Sequence, residues 1–166
     1  MKTGWRLAPG LPQRVVTLQP VSRHNLAAVC ALDAGDDGVQ VAPNLRSMAQ
    51  AAVYPEAWPR AIYAGDEPVG FLMLYDPSRV VQPEQSDFYL WRLMIDHRHQ
   101  NQGYGRSAVR QLVEHVRARP GAERLSVSYV APAEALARFY AALGFAATGA
   151  LVDGEVELSL PLHAAP

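Results

Sequence analysis

Asp87 to Ile95 is an aromatic, apolar segment, and a loop bearing Gly103 and Gly105 separates it from residues whose apolar members recur at helical spacing: Ala108, Val109, Leu112, Val113 and Val116. A buried strand, a glycine turn and an amphipathic helix thus follow one another directly. The first backbone amides of a helix have no partner within it, and the helix dipole adds partial positive charge there. Gln100, Asn101, Gln102, Gly103, Gly105, Arg106 and Ser107 therefore sit where an anion site forms. The two glycines leave the main chain bare enough for a phosphate to approach, and the dipole contributes up to about 2 kcal/mol in favourable geometry. Two glycines near a helix start also suit a purely structural turn, so the rest of the chain has to decide.

Other phosphate motifs are absent. The loop has no Gly-Lys-Ser/Thr, and its glycines do not follow the dinucleotide pattern Gly-x-Gly-x-x-Gly. No serine occupies a Gly-x-Ser-x-Gly elbow. His97 and His99 lie two apart beside Asp96, without helical spacing or further ligands, so the expectation is solvent-exposed histidines and no metal. Trp58 and Trp91 are expected in the core or along a cleft wall.

Along the chain, Val15 to Leu18 reads as a strand, and Pro20 and Ser22 break it and offer a helix cap. Leu26, Val29 and Cys30 mark one helix; Leu45, Met48, Ala49, Ala52 and Val53 mark the apolar face of the next. Ala61 to Ala64 and Val69 to Tyr75 flank the turn Gly65-Asp66-Glu67-Pro68 as a hairpin. Pro120-Gly121 closes the helix that starts near Gly105. Leu125, Val127 and Tyr129 then alternate as a strand. Leu136, Phe139, Tyr140 and Leu143 recur as a helix that Gly144 caps. Phe145 to Leu160 folds back at Asp153-Gly154 as a terminal hairpin. The expected fold is α/β, with a mixed, mostly antiparallel central sheet and helices on both faces. Residues 1–14 read as a flexible tail and 15–162 as a single domain.

A net charge of -1 lacks the positive footprint of a nucleic-acid binder. Hydrophobic residues at 49% against charged ones at 19% support a packed core. No apolar run reaches the roughly 20 residues that span a bilayer. The single cysteine, Cys30, reads as a packed thiol, consistent with a reducing cytoplasm.

The sequence Gln-x-x-Gly-x-Gly after a buried strand resembles the acetyl-CoA signature of the GNAT N-acetyltransferase superfamily. Leu136 to Phe145, containing Tyr140-Ala141-Ala142-Leu143-Gly144-Phe145, is similar to its tyrosine helix. Val41-Ala42-Pro43-Asn44, Ala61-Ile62-Tyr63, Pro68-Val69-Gly70-Phe71, Arg92-Leu93-Met94-Ile95-Asp96 and Ser128-Tyr129 resemble the polyamine (spermine/spermidine) acetyltransferase branch. The resemblance implies acetyl-CoA as cosubstrate, with no metal. It places Leu93, Met94 and Ile95 along the thioester and pantetheine, residues 100–107 at the pyrophosphate, and Phe139 beside the cofactor. It implies a small-molecule amine as partner, and a homodimer is left open. Two positions depart from the family pattern: Ala133 replaces a frequent asparagine, and Tyr89 stands where some members carry a glutamate base.

Tyr140 is the expected general acid, since a phenol with a pKa near 10 is protonated at neutral pH and can donate to a departing thiolate. Exposing the free base of an alkylamine of pKa near 10.4 at pH 7 costs about 4.6 kcal/mol, so loss of its proton to water can suffice. The base is therefore unassigned, with Asp87, Glu84 and Tyr89 as relays if they face the cleft. For a polyamine acceptor, Asp36, Asp37, Glu56, Glu84 and Asp87 are the expected carboxylates. Two further readings stay open: a non-catalytic acyl-CoA-binding module, and an acetyltransferase of peptides or proteins.

Overall fold

In the computed structural model, which describes residues 14–35 and 42–163, seven strands form one sheet in the order β1-β2-β3-β4-β5-β7-β6. The strands are β1 (Val16–Pro20), β2 (Ala57–Ala64), β3 (Glu67–Tyr75), β4 (Phe88–Ile95), β5 (Arg124–Tyr129), β6 (Ala146–Val152) and β7 (Glu155–Pro161). Only β4 and β5 run parallel; the other neighbours are antiparallel. The helices are α1 (Leu26–Cys30), α2 (Asn44–Val53), α3 (Tyr104–Arg117) and α4 (Glu134–Ala141). The sheet and its flanking helices are those expected from the sequence.

Each face of the sheet has its own core. On one face Ala108, Val109, Leu112 and Val116 of α3 are fully buried against Leu72, Leu74, Phe88 and Leu125. Burying a side chain of this size contributes about 1.5–3 kcal/mol relative to exposure. On the other face Val29, Ala61, Phe71, Met73 and Met94 pack together under α1 and α2.

Of the expected apolar face of α2, only Met48 packs. Leu45 and Val53 are 67% and 73% exposed, and Ala49 and Ala52 are exposed too. Asn44 and Ser47 point inward instead, with Met48 and Ala51 partly covered. A specific hydrogen bond accompanies this orientation: Asn44 Nδ2 donates to Val29 O at 2.8 Å, which seats the helix start on the end of α1. The bond satisfies the buried Asn44 amide, which would otherwise cost about 1–3 kcal/mol left unpaired on that inward side.

Ser22 starts a turn and does not cap α1. The helix begins at Leu26, and Ser22 Oγ accepts from the His24 amide at 3.3 Å. Arg14, the one described residue of the expected tail, pairs with Glu67 at 2.6 Å; residues 1–13 lie outside the described residues.

The strand that matters most is β4. Phe88 and Leu90 face the α3 core, and so do Leu93 and Ile95, which strict alternation forbids. The pairing explains it: Leu74 is opposite Leu90 and Met73 opposite Arg92, so Trp91 is an extra residue. A β-bulge of this kind bends the strand and increases its twist. Beyond it, Gly70 of β3 lies tight against β4, where a Cβ would meet Met94 O at 2.5 Å and Ile95 Cδ1 at 2.7 Å. Gly70→Ala is therefore expected to destabilise the protein by about 1–3 kcal/mol, read as a lower urea midpoint at an unchanged slope.

Candidate active site

The two parallel strands separate almost as soon as they meet. Phe88 pairs with Leu125 and Tyr89 with Ser126, and the strands share no further pairs. The edge of β4 from Leu90 onward is consequently open toward β5. Asp96 N donates to Val69 O of β3 at 2.9 Å, so alternation turns the Leu93 and Ile95 amides the other way, into the gap. Met94 lies between them, its side chain buried in the α1–α2 core.

The loop after β4 aims at the same gap. Asp96 is buried; its carboxylate accepts from Arg98 Nε at 2.8 Å, from the Arg98 amide at 3.0 Å and from the Asp33 amide at 3.1 Å. The bonded Arg98 guanidinium, more than any other group, holds the Asp96 carboxyl well below the usual carboxylate range. Gln100 Nε2 donates to Ala34 O at 2.9 Å and Ile95 O at 3.0 Å, fastening the loop to the strand end. The Gln100 side chain is thus engaged within the fold, leaving the main chain of residues 101–103 exposed. Asn101 and Gly103 have φ of 60° and 82°, and Gly103 precedes the first residue of α3. A Cβ added at Gly105 would meet Ile95 and Phe139 at ordinary contact distances, so both side chains lie beside it. Arg106 is exposed, and the Ser107 amide bonds to Gly103 O at 3.1 Å, closing the first turn. The amides of the helix start thus face outward, as an anion site requires.

Tyr140 is 5% exposed and sits edge-on between Phe139 and Phe145, at centroid distances of 5.0 and 5.4 Å. Its helix ends by Phe145 N bonding to Tyr140 O at 3.1 Å, with Gly144 at φ 93°, a left-handed termination that glycine permits. Burial, and secondarily the nearby Tyr89, push the Tyr140 hydroxyl far above the ordinary phenol range, so it stays protonated. Ala133, at the start of α4, makes no side-chain cap, in keeping with its departure from the family pattern.

Tyr140 lines a cavity of about 750 Å³ that the gap between β4 and β5 opens, a volume usual for a small-molecule site. Tyr54, Trp91, Leu93, Leu136 and Ala133 supply much of its apolar wall. Its charged groups are Glu84, Asp153, Glu155 and Arg92. Trp91 meets Tyr54 edge-on at 5.5 Å, whereas Trp58 is buried and stacks on His115 at 4.0 Å.

The expected carboxylates separate. Glu84 and Tyr89 line the cavity. Asp87 does not; it pairs with Arg124 at 3.6 Å. Glu56 is buried away from the cavity, a correction to the expected cleft position, and Asp36 and Asp37 lie outside the described residues. The sequence reading missed Asp153 and Glu155, which the turn of the terminal hairpin delivers, and Ser128, which bonds to both Tyr89 and Glu155. In sequence Glu155 looks like any solvent-facing charge of a hairpin, so no local signal marks it. His97 is exposed as expected, but the His99 side chain is only 17% exposed and lies 3.4 Å from Glu67. No group of three metal-ligating side chains gathers among the described residues, and none of their helices is long and apolar enough to cross a membrane.

Acid should act through Asp96. A carboxyl held below its unfolded value near 3.9 contributes stability that is fully present above that value and is lost as pH falls below it. Asp96→Asn is expected to lower stability at pH 7 and to flatten the loss on acidification below about pH 4, checked by urea unfolding across pH.

Solved structures share this architecture. The ribosomal-protein-S18-alanine N-acetyltransferase of Escherichia coli superposes with a TM-score of 0.67 at 16% identity, covering 92% of this chain and 97% of that one. A spermidine N-acetyltransferase chimera from Vibrio cholerae and hSSAT gives 0.70 at 12%, covering 89% and 95%. An acetyl-CoA-bound GNAT family acetyltransferase from Elizabethkingia anophelis gives 0.61 at 12%, covering 88% and 97%. At these identities the likeness is one of fold. No curated protein matches the chain in sequence. The profile of the acetyltransferase (GNAT) family matches residues 36–145, spanning the open strand, the glycine loop and the tyrosine helix, and the chain belongs to that family of enzymes.

Proposed function

We propose that the protein transfers the acetyl group of acetyl-CoA to a primary amine of a small molecule by direct attack in a ternary complex. The observation that carries this is the juxtaposition of three features at one gap: the free Leu93 and Ile95 amides, the outward amides of the α3 start and the protonated Tyr140.

The residues present fit acetyl-CoA. A pantetheine laid along the open edge of β4 would use main-chain hydrogen bonds as an added strand does, with Leu93, Met94 and Ile95 as its template. The main chain of residues 100–107 would hold the pyrophosphate, with Arg106 and Ser107 beside it, and Phe139 would wall the gap next to Gly105. When bound, acetyl-CoA supplies an activated acyl group and a good thiolate leaving group. An amide of β4 aimed at the thioester oxygen would stabilise the charge that develops there. Tyr140 holds the proton that the sulfur needs on departure; a thiol is more acidic than this buried phenol, so that transfer runs uphill by itself and is carried by the attacking nitrogen, whose second proton replaces the one Tyr140 gives.

For the acceptor, the resemblance to the polyamine branch and the cavity carboxylates Glu84, Asp153 and Glu155 favour a cationic amine, with polyamines the leading candidates. Exposed ion pairs contribute only about 0.2–1 kcal/mol each, so several must converge on a remote charge. Arg92 in the same wall opposes that selection.

Calorimetry should show acetyl-CoA binding, and thiol release should follow with members of an amine panel; no binding would sink the reading. Binding without thiol release from any amine would point to a non-catalytic module. Tyr140→Phe should lower kcat by about 10²–10⁴ while acetyl-CoA affinity stays nearly unchanged, because the ring still packs. Equal losses of binding and stability would make Tyr140 a core residue only. If polyamines are the acceptors, KM for spermine should climb with salt as screening sets in.

A further inference from the structure

Tyr89, Ser128 and Glu155 come from β4, β5 and β7, and all three line the cavity. The Tyr89 hydroxyl is hydrogen-bonded to Ser128 Oγ, and Ser128 Oγ to Glu155 Oε2. An ionised carboxylate accepts hydrogen bonds and cannot donate them, so Ser128 gives its one proton to Glu155. Only lone pairs of Ser128 Oγ then remain for Tyr89, whose proton must point at the serine. The far end of the chain fixes the direction of every bond in it. Tyr89 is left with a lone pair for the cavity and no proton to offer there. Tyr140, facing the same cavity, gives its proton to no group among the described residues. The two tyrosines therefore present opposite hydrogen-bonding polarities to one space, and only Tyr89 suits a group rich in N–H donors.

The geometry points to Tyr89 as the catalytic residue that accepts the acceptor's ammonium and removes its first proton, with Ser128 and Glu155 as positioning residues that set this polarity and pass the proton outward. This rests on the acetyl-transfer reading above. An N–H proton moves to the Tyr89 oxygen as the Tyr89 proton moves to Ser128 and the Ser128 proton to Glu155, which returns it to solvent. The freed nitrogen lone pair forms the C–N bond. The C–S bond breaks with its electron pair on sulfur, which takes the Tyr140 proton, and the second nitrogen proton restores Tyr140. Overall, ammonium and thioester become amide, thiol and one proton released to solvent.

The chain resolves two features that the sequence left apart. The cavity side of β4 carries a tyrosine and no carboxylate, yet a carboxylate is two hydrogen bonds away on β7. Burial raises the Tyr89 hydroxyl above its ordinary range, so it is not a phenolate at rest and acts only with a proton acceptor behind it. Glu157 of β7 and Arg92 of β4 also act on Tyr89 electrostatically; Arg46 of α2 acts on Arg92, and Tyr140 of α4 faces Tyr89. Glu84 and Asp153 share the cavity. The variants below leave all of these in place.

Two measurements with n-butylamine test the assignment on Tyr89→Phe, Ser128→Ala, Ser128→Thr and Glu155→Gln, each first checked for an unaltered thermal unfolding transition. In the first, calorimetry at pH 7 in the presence of CoA should show the amine binding the parent protein, with Tyr89→Phe weakening it about tenfold. In the second, kcat/KM with acetyl-CoA should fall by about 10²-fold or more at pH 7 in Tyr89→Phe, Ser128→Ala and Glu155→Gln. Ser128→Thr, which keeps the hydroxyl, should restore most of it. The deficit should close above about pH 10, where the amine arrives as its free base. A loss of the same size at every pH, variants that bind and titrate like the parent, or a parent protein that does not bind the amine would each overturn the assignment. Thiol release by the parent protein with any amine bears on acetyl transfer alone, so failure of this assignment is distinguishable from failure of that reading.

Discussion

The site depends on a backbone constraint, the separation of β4 from β5 after two paired positions. Parallel neighbours in a sheet normally satisfy each other's amides and carbonyls along their full length. Here Trp91 is inserted into β4 as a bulge, which bends the strand, and the partner strand does not follow. Unpaired backbone groups inside a protein are costly unless something else bonds to them. The open edge is thus at once a defect in the sheet and a ready template for a ligand that brings its own amides and carbonyls. Gly70 keeps β3 close enough behind β4 for that edge to stay in register.

What surrounds the gap converts this template into a chemical site. Asp96, bonded to Arg98 and the Asp33 amide, and Gln100, bonded to Ala34 and Ile95, tie the glycine loop to the end of the strand. The α3 start and the open strand edge therefore face the same space. On the opposite side the terminal hairpin contributes Asp153 and Glu155, while the left-handed turn at Gly144 folds Phe145 back against Tyr140. Aromatic packing holds that tyrosine in an apolar setting, which keeps its proton on; Tyr89 is held by a hydrogen-bonded chain that commits its proton elsewhere. One residue type thus presents two hydrogen-bonding polarities to one cavity.

Much of this was legible in the sequence, and the failures have specific causes. The strand, glycine loop and α3 helix could be read because each rests on local rules: an apolar run, glycine at a turn, a strong 3.6-residue period. Tyr140 could be singled out from its place before Gly144-Phe145. The face of α2 was partly misread because hydrophobic periodicity takes Leu45 and Val53 as buried, whereas the inward side holds Met48 beside the polar Asn44, whose amide is bonded to Val29 O. Glu155 and Ser128 were passed over as site residues because alternation in a hairpin marks a face as polar without revealing what the face looks onto. Glu56 was misplaced for the same reason, since the charge of a residue does not say which side of the sheet covers it.

The sequence by itself determined the order of elements, the strand-loop-helix with its glycine turn and the family to which the chain belongs, since all of these follow from residue type and spacing along the chain. Tertiary structure alone decided which amides are left unpaired, how deeply Tyr140 is buried and in which direction the Tyr89 hydroxyl points. These depend on groups tens of residues apart, such as Ser128 and Glu155 on neighbouring strands, and their physical effect falls off within a few ångströms, so they take on a value only once the sheet has brought them together.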